Sequence, residues 1–240
     1  AGDSAHGVSP FGARGANSGV QDAENLGWKL ALVVQGRADA SLLESYAHER
    51  EYAADENILN STRSTDFITP KSEASRLFRD AVLELSRDFA FARRIVNSGR
   101  LSVPTTLSGS TLNTPDTDAF DGAMGPGAVA ADAPLQRADG TPTWLLRGLG
   151  SGFTLLVFGD VPRWARALPL QCVGIDGAAN ASGNGVADGL RDAQGLAARR
   201  YAAQAGTAYL IRPDRHVCAR WRAPTEAGVR AALARAGLRA

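Results

Sequence analysis

The chain has 240 residues, with 26 basic against 25 acidic side chains for a formal net charge of +1, and 44% of its residues are hydrophobic. That length suits one large or two small domains with a real core, and the ordinary composition excludes wholesale disorder. No run approaches the roughly 18 apolar residues of a membrane helix, no signal-like n-region and h-region open the sequence, and no basic block offers a footprint for nucleic acid, so a cytoplasmic protein without membrane or nucleic-acid partners is expected.

Only Lys29 and Lys71 are lysines, so arginine supplies 24 of the 26 basic residues, which together with abundant alanine and glycine reads as the coding bias of a GC-rich bacterial genome. Cys172 and Cys218 lie far apart and form no C-x-x-C pair, which suggests neither a disulfide framework nor a zinc site. Reduced, packed thiols are expected, and no metal.

Along the chain, a loop containing Pro10, Gly12, Gly15 and Gly19 leads into helical periodicity, where Ser18 and Gln21 have capping-box spacing. Val20, Ala23, Gly27, Leu30 and Val34 fall on one face before Gly36 stops the run. A second helix is predicted from Ser41, with Glu44 at N3, to about Phe67, ended by Pro70. A third starts near Ser72 and carries Ala74, Leu77, Phe78, Ala81, Leu85 and Phe89 at helical spacing. From about Gly99 to Pro134 the character changes to turn chemistry, including Thr114-Pro115-Asp116 and Gly125-Pro126-Gly127.

Beyond it, Phe153 to Phe158 and Leu170 to Ile175 read as buried strands, and Thr207 to Arg212, a Pro213-Asp214 turn and His216 to Trp221 as a β-hairpin. A helical segment is expected around Asp188 to Gln204, and a terminal helix from Thr225 to Leu238 with Val229, Ala232, Leu233 and Ala236 inward.

The string from Gly2-Asp3-Ser4-Ala5-His6 to Leu30 has a physical reading of its own. Glycines at 12, 15 and 19 allow close backbone approach, and a helix N-terminus turns unpaired N–H groups and partial positive charge toward an electron-rich group. Asp3 would repel a phosphate but accept hydrogen bonds from hydroxyls, which fits a sugar or polyol. Glycine-rich loops feeding capped helices are also common without any ligand, so local pattern alone leaves both readings open.

The full string resembles the second flavin-binding motif of the FAD-dependent aromatic hydroxylases, single-component flavoprotein monooxygenases of the phenol hydroxylase and 3-(3-hydroxyphenyl)propionate hydroxylase kind. The motif runs G-D-x-A-H, then P-x-G-x-x-x-N, then D-A-x-N-L-x-W-K-L, and Leu43, Ser45, Tyr46, Glu49 and Arg50 match a following L-x-S-Y-x-x-E-R stretch. The resemblance implies that Asp3 hydrogen-bonds the ribityl chain of FAD and that Gly12 and Gly15 shape the loop along the flavin. It also implies that Pro10 sits on the substrate side and that the N–H groups of Ala16 and Asn17 face the N1 and C2 carbonyl edge, where a helix terminus would stabilise the charge of reduced flavin. His6 is expected to be structural. NAD(P)H is implied as reductant, dioxygen as oxidant and a phenolic ring as substrate.

By the same resemblance the fold is α/β: residues 1–98 as the C-terminal helical part of an FAD-binding domain, 99–126 as a linker, and 127–240 as a thioredoxin-like domain without C-x-x-C. A family member also needs a βαβ unit with G-x-G-x-x-G for the ADP part of FAD. Here Gly148-x-Gly150-x-Gly152 has no strand leading into it, and Gly183-x-Gly185 meets Asp188 where the last glycine belongs. The expectation is therefore the C-terminal portion of a larger hydroxylase, inactive alone, whose catalytic residues are not identified. Its expected partners are a phenolic substrate, the missing N-terminal part of the same protein, and a second copy in a homodimer. The alternative is a non-catalytic thioredoxin-like binding or dimerisation module with a helical N-terminal extension.

Overall fold

The computed structural model describes residues 1–8, 14–99, 103–122, 124–177 and 186–239, with the side chains of 186–188 outside the description. These residues fall into two units, one of 1–25 and 48–105, the other of 26–47 and 106–240. Two long helices, α1 (Arg14–Val34) and α2 (Glu44–Ile68), contribute to both.

In the first unit a 3-10 turn (Gly2–Ser4) precedes the first half of α1, and most of α2 is followed by α3 (Glu73–Leu85) and α4 (Ala90–Val96). α3 starts where expected, near Ser72, which caps it: its Oγ accepts the Ser75 N–H at 3.1 Å. The periodic run of this third helix does not stay continuous. It breaks after Leu85, and Phe89 becomes the N-cap residue of α4. The Arg93 guanidinium stabilises the break by donating to the carbonyls of Ser86 (2.8 Å) and Arg87 (2.7 Å), which the ended helix leaves without partners. Leu77 and Phe78, on the periodic face, are 73% and 57% exposed, whereas Val82 is buried.

The capping box expected at Ser18 is not formed. The helix already runs at Arg14, so Ser18 lies inside it, buried. The burial of α1 is also reversed from the apolar stripe: Val20, Leu30 and Val34 are exposed, and the covered side carries Arg14, Ser18, Asp22, Asn25, Trp28, Lys29 and Leu32. Polar groups at a helical spacing can be interior when each has a partner, and a hydrophobic period does not reveal that. Gly36 does end the run as predicted, at φ +69°. Before α2 the chain makes a 3-10 turn (Ala40–Leu43), so the α-helix proper starts three residues after the predicted Ser41.

The second unit is built on a mixed five-stranded sheet. Its strands are β3 (Thr154–Gly159), β4 (Gln171–Asp176), β5 (Val186–Leu190), β6 (Ala208–Ile211) and β7 (Val217–Trp221), in the order β5-β4-β3-β6-β7. β3 runs parallel to β4 and β4 to β5, while β6 is antiparallel to both β3 and β7. The predicted strands at 153–158 and 170–175 and the hairpin thus stand. Their apolar runs are continuous because both sheet faces are covered. Leu155 and Val157 point into one cluster with Phe153, Leu210, Trp28, Leu32 and Leu42, joined by Val229 and Leu233 of α7 (Glu226–Arg235). Leu156 and Phe158 point into the other, with Ile175, Tyr201, Tyr209 and Leu145. α7 has the predicted cap, Thr225 Oγ1 accepting the Gly228 N–H at 3.1 Å.

The expectation of a helical segment over 188–204 needs correction. Residues Val186–Leu190 pair with β4 as a strand, and only Leu196–Arg200 (α6) is helical. A two-stranded hairpin, β1 (Pro134–Gln136) with β2 (Pro142–Trp144), and the one-turn α5 (Leu145–Gly148) also go beyond the sequence reading. Gly148 is therefore the last residue of a helical turn, in line with its rejection as a dinucleotide loop; Gly183 and Gly185 lie outside the described residues.

The turn-rich segment before β1 lies along the outer side of β7. Thr114 N–H donates to the Cys218 carbonyl and Gly127 N–H to that of Val217, both at 2.7 Å, and Val217 N–H donates to Ala128 O at 2.8 Å. These bonds occupy an edge that would otherwise expose unpaired backbone groups.

Candidate functional site

Among the described residues before α1, Gly2 and His6 are held by one side chain. Gly2 turns the chain at φ +65°, a conformation open to glycine, and its N–H donates to Asp22 Oδ2 at 2.7 Å. His6 Nε2 meets the same oxygen at 2.7 Å, while Arg50 Nε of α2 donates to Oδ1 at 2.5 Å. Asp22 is fully buried. Burial by itself would raise its pKa, but the Gly2 amide, Arg50 and His6 outweigh that and hold the carboxyl below the usual carboxylate value.

The approach of the loop to α1 explains two of the glycines. Residues 15, 19 and 22 lie at i, i+4 and i+7, one face of the helix. A Cβ on Gly19 would lie 3.6 Å from the Gly2 Cα, and one on Gly15 would lie 3.6 Å from Asp3 Oδ1. Gly19, read from sequence as room for a ligand, is thus met by the chain's own backbone. Gly15 leaves room beside an exposed carboxylate.

Deeper along the helices a buried polar layer continues. Arg14 Nη1 donates to Asn57 Oδ1 and Arg14 Nη2 to the Val103 carbonyl (3.2 Å). Asn57 Nδ2 donates to Ser18 Oγ (3.0 Å), and Asn25 Nδ2 to Glu49 Oε2 (2.7 Å).

Of the six residues singled out from the sequence, the structure brings Asp3 and Gly15 together and places Ala16 and Asn17 exposed in the first turn of α1. A helix N-terminus carries partial positive charge, and Ala16 and Asn17 stand at that end of α1. Pro10 and Gly12 lie outside the described residues. The residues missed were the supports: Asp22, Arg50, Arg14 and Asn57. Asp22 and Arg50 stood inside the D-A-x-N-L and S-Y-x-x-E-R strings, but their contact, across 28 positions, has no signature in spacing. Among the described residues no cluster of histidine, cysteine and acidic side chains could hold a metal, and no helix is long and apolar enough to cross a membrane.

In the second unit the polar interior is centred on Asp214, between β6 and β7. It accepts two hydrogen bonds from Arg212, Nε at 3.0 Å and Nη2 at 2.5 Å, and one from Trp28 Nε1 at 3.0 Å. Burial opposes the charge, yet Arg212 and His216 prevail and keep this carboxyl far below its ordinary range. Cys172, by contrast, is pushed up to about 11 by burial, only partly relieved by Arg166, and so is a thiol at neutral pH.

An exposed carboxylate, Asp3, thus lies beside a glycine of the N-terminal part of α1, and a family model for the FAD binding domain matches residues 1–61. Two curated relatives are 3-(3-hydroxy-phenyl)propionate/3-hydroxycinnamic acid hydroxylases. That of Escherichia coli K12 is 30% identical over 165 residues, 68% of this chain and 29% of the enzyme. That of Comamonas testosteroni is 43% identical over 83 residues, 35% of this chain and 14% of the enzyme. Among solved structures, BexE, studied for oxidation during BE-7585A biosynthesis, is 30% identical with a TM-score of 0.65, covering all of this chain and 44% of its own. The flavin-dependent monooxygenase PieE, in complex with FAD and substrate, shares the fold with a TM-score of 0.70 at 23% identity, over 98% of this chain and 46% of its own.

The chain belongs to the FAD-dependent aromatic hydroxylase family, as a portion of such an enzyme. It spans under a third of the length of these curated relatives.

Proposed function

We propose that this chain is the C-terminal portion of an FAD-dependent monooxygenase that hydroxylates a phenolic compound with NAD(P)H and dioxygen. The observation that carries this reading is the Asp3 carboxylate beside Gly15 at the N-terminal end of α1. A ribityl chain offers hydroxyl donors to a carboxylate, and the pyrimidine edge of a flavin offers acceptors to amides. Bound FAD would supply the hydride acceptor and the oxygen-activating ring. The residues of this chain would do the holding: Asp3 accepts from the ribityl hydroxyls, and the Ala16 and Asn17 amides donate toward the N1 and C2 carbonyl edge. There the helix terminus favours negative charge as the ring is reduced. Pro10 and Gly12 are assigned to the loop along the ring, with Pro10 toward the substrate.

In domain terms, residues 1–98 are read as the end of the FAD-binding domain and 99–126 as the connection. Residues 127–240 are read as a thioredoxin-like domain that has lost thiol chemistry. A mixed sheet ending in an antiparallel hairpin, with a terminal helix on one face, supports the last assignment, as do two buried cysteines with no C-x-x-C motif. The ring-contacting and adenosine-binding residues are assigned to other parts of the longer enzyme, which is read as a cytoplasmic homodimer. The chain on its own is therefore expected to purify colourless, to bind FAD weakly, and not to oxidise NADH or NADPH in the presence of phenols. Stoichiometric flavin in the purified chain together with NAD(P)H oxidation would overturn the partial-machinery reading.

A further inference from the structure

Residues 1–8 carry Asp3, yet most of their hydrogen bonds are local: Ala5 and His6 N–H to the Gly2 carbonyl, and Ser4 Oγ to the Ala1 carbonyl. Among the described residues, the polar ties of this segment to the rest of the chain, from Gly2 N–H and from His6, both end on Asp22 Oδ2. The other oxygen of Asp22 is taken by Arg50, which arrives from α2 and is itself buried. The carboxylate is thus fixed in rotation by a cation on one side and grips Gly2 and His6 with the other.

We propose that Asp22 is a positioning residue for the flavin: through Gly2 and His6 it sets the turn that carries Asp3, and so determines where the Asp3 carboxylate stands relative to the first turn of α1. This rests on the functional reading above, in which Asp3 meets the ribityl chain. Asp22 does not touch the cofactor; it is buried beneath the loop. Gly15 and Gly19 supply close contact beneath the loop but no directional bond, so van der Waals contact alone would leave the turn free to shift along the helix.

A double-mutant cycle distinguishes positioning from general support. The 240-residue chain and its Asp3→Asn, Asp22→Asn and doubly substituted forms are titrated with FAD by quenching of flavin fluorescence, with circular dichroism as the check on folding. Loss of one charge-assisted hydrogen bond is expected to weaken FAD about tenfold in each single variant. The double variant is expected to be no weaker than Asp3→Asn alone, because Asp22 acts only through Asp3. Should Asp22→Asn fail to fold, His6→Ala, which leaves the Asp22–Arg50 pair in place, closes the same cycle.

A folded Asp22→Asn protein with unchanged FAD affinity, or losses that add in full, would overturn the positioning role while leaving the functional reading intact. A wild-type chain that does not quench FAD at all would overturn the functional reading and this inference with it. Slowed hydrogen exchange at the Gly2 amide, lost in Asp22→Asn, is expected in either case and reports the grip itself.

Discussion

Replacing Asp214 by alanine tests the interior of the sheet-bearing unit. Arg212 is fully buried and Asp214 is 5% exposed, with two hydrogen bonds between them and a third from the Trp28 indole. Asp214→Ala removes the counter-charge of a guanidinium that stays inside, which costs about 3–5 kcal/mol, and leaves the Trp28 N–H without this acceptor, which costs about 1 kcal/mol more if the effects were independent. They share a site, so about 4 kcal/mol is expected in all, with Asp214→Asn near half of that. Urea unfolding followed by tryptophan fluorescence reads the change, since Trp28 is packed edge-on to Phe153 with ring centroids 5.6 Å apart in the same core. The double variant Arg212→Met/Asp214→Leu should regain most of the loss, because apolar replacement removes both charges. A loss below about 1 kcal/mol for Asp214→Ala would refute the reasoning.

Other expectations follow from single features. Asp22 and Asp214 both have folded pKa values below the unfolded value near 3.9, so the stability they contribute is present above about pH 4 and is lost as pH falls through their folded values. Acid titration of ellipticity should show this loss, shifted toward neutral pH by Arg50→Gln. Gly127→Ala should cost roughly 3 kcal/mol, because at φ +92° its Cβ would fall 2.5 Å from the Leu107 carbonyl. Gly140→Ala, at φ +82° but with nothing within 4 Å, should cost only about 1 kcal/mol, both read by urea unfolding. Cys172 and Cys218 are both buried, and neither should react with a thiol reagent at pH 8 until the chain is unfolded in urea, when both should.

What the sequence revealed and what it hid have the same physical origin. The strands at 154–159 and 171–176 were legible because a strand covered on both faces is a continuous apolar run. The helix starts near Ser72 and at Thr225 were legible because capping is local chemistry within three residues. β1, β2 and β5 were not, being three to five residues long and defined by partners far along the chain. The stripe on α1 was real as a pattern but named the wrong side. Its covered side is mostly polar, and polar groups become interior only through partners such as Arg50, Asn57 and Asp214 that spacing does not show. The flavin motif identified the residues at the helix mouth, Asp3, Gly15, Ala16 and Asn17, but not the carboxylate beneath them.

The central claim is that the mouth of α1 receives a flavin, and amide chemical-shift mapping of the isotopically labelled chain with added FAD tests it most directly. The account predicts that the Gly15, Ala16 and Asn17 amides move as FAD is added, and that Asp3→Ala abolishes the movement while the sheet amides of residues 154–159 and 208–211 stay still. Unmoved helix-mouth amides, or shifts centred on the sheet, would contradict it.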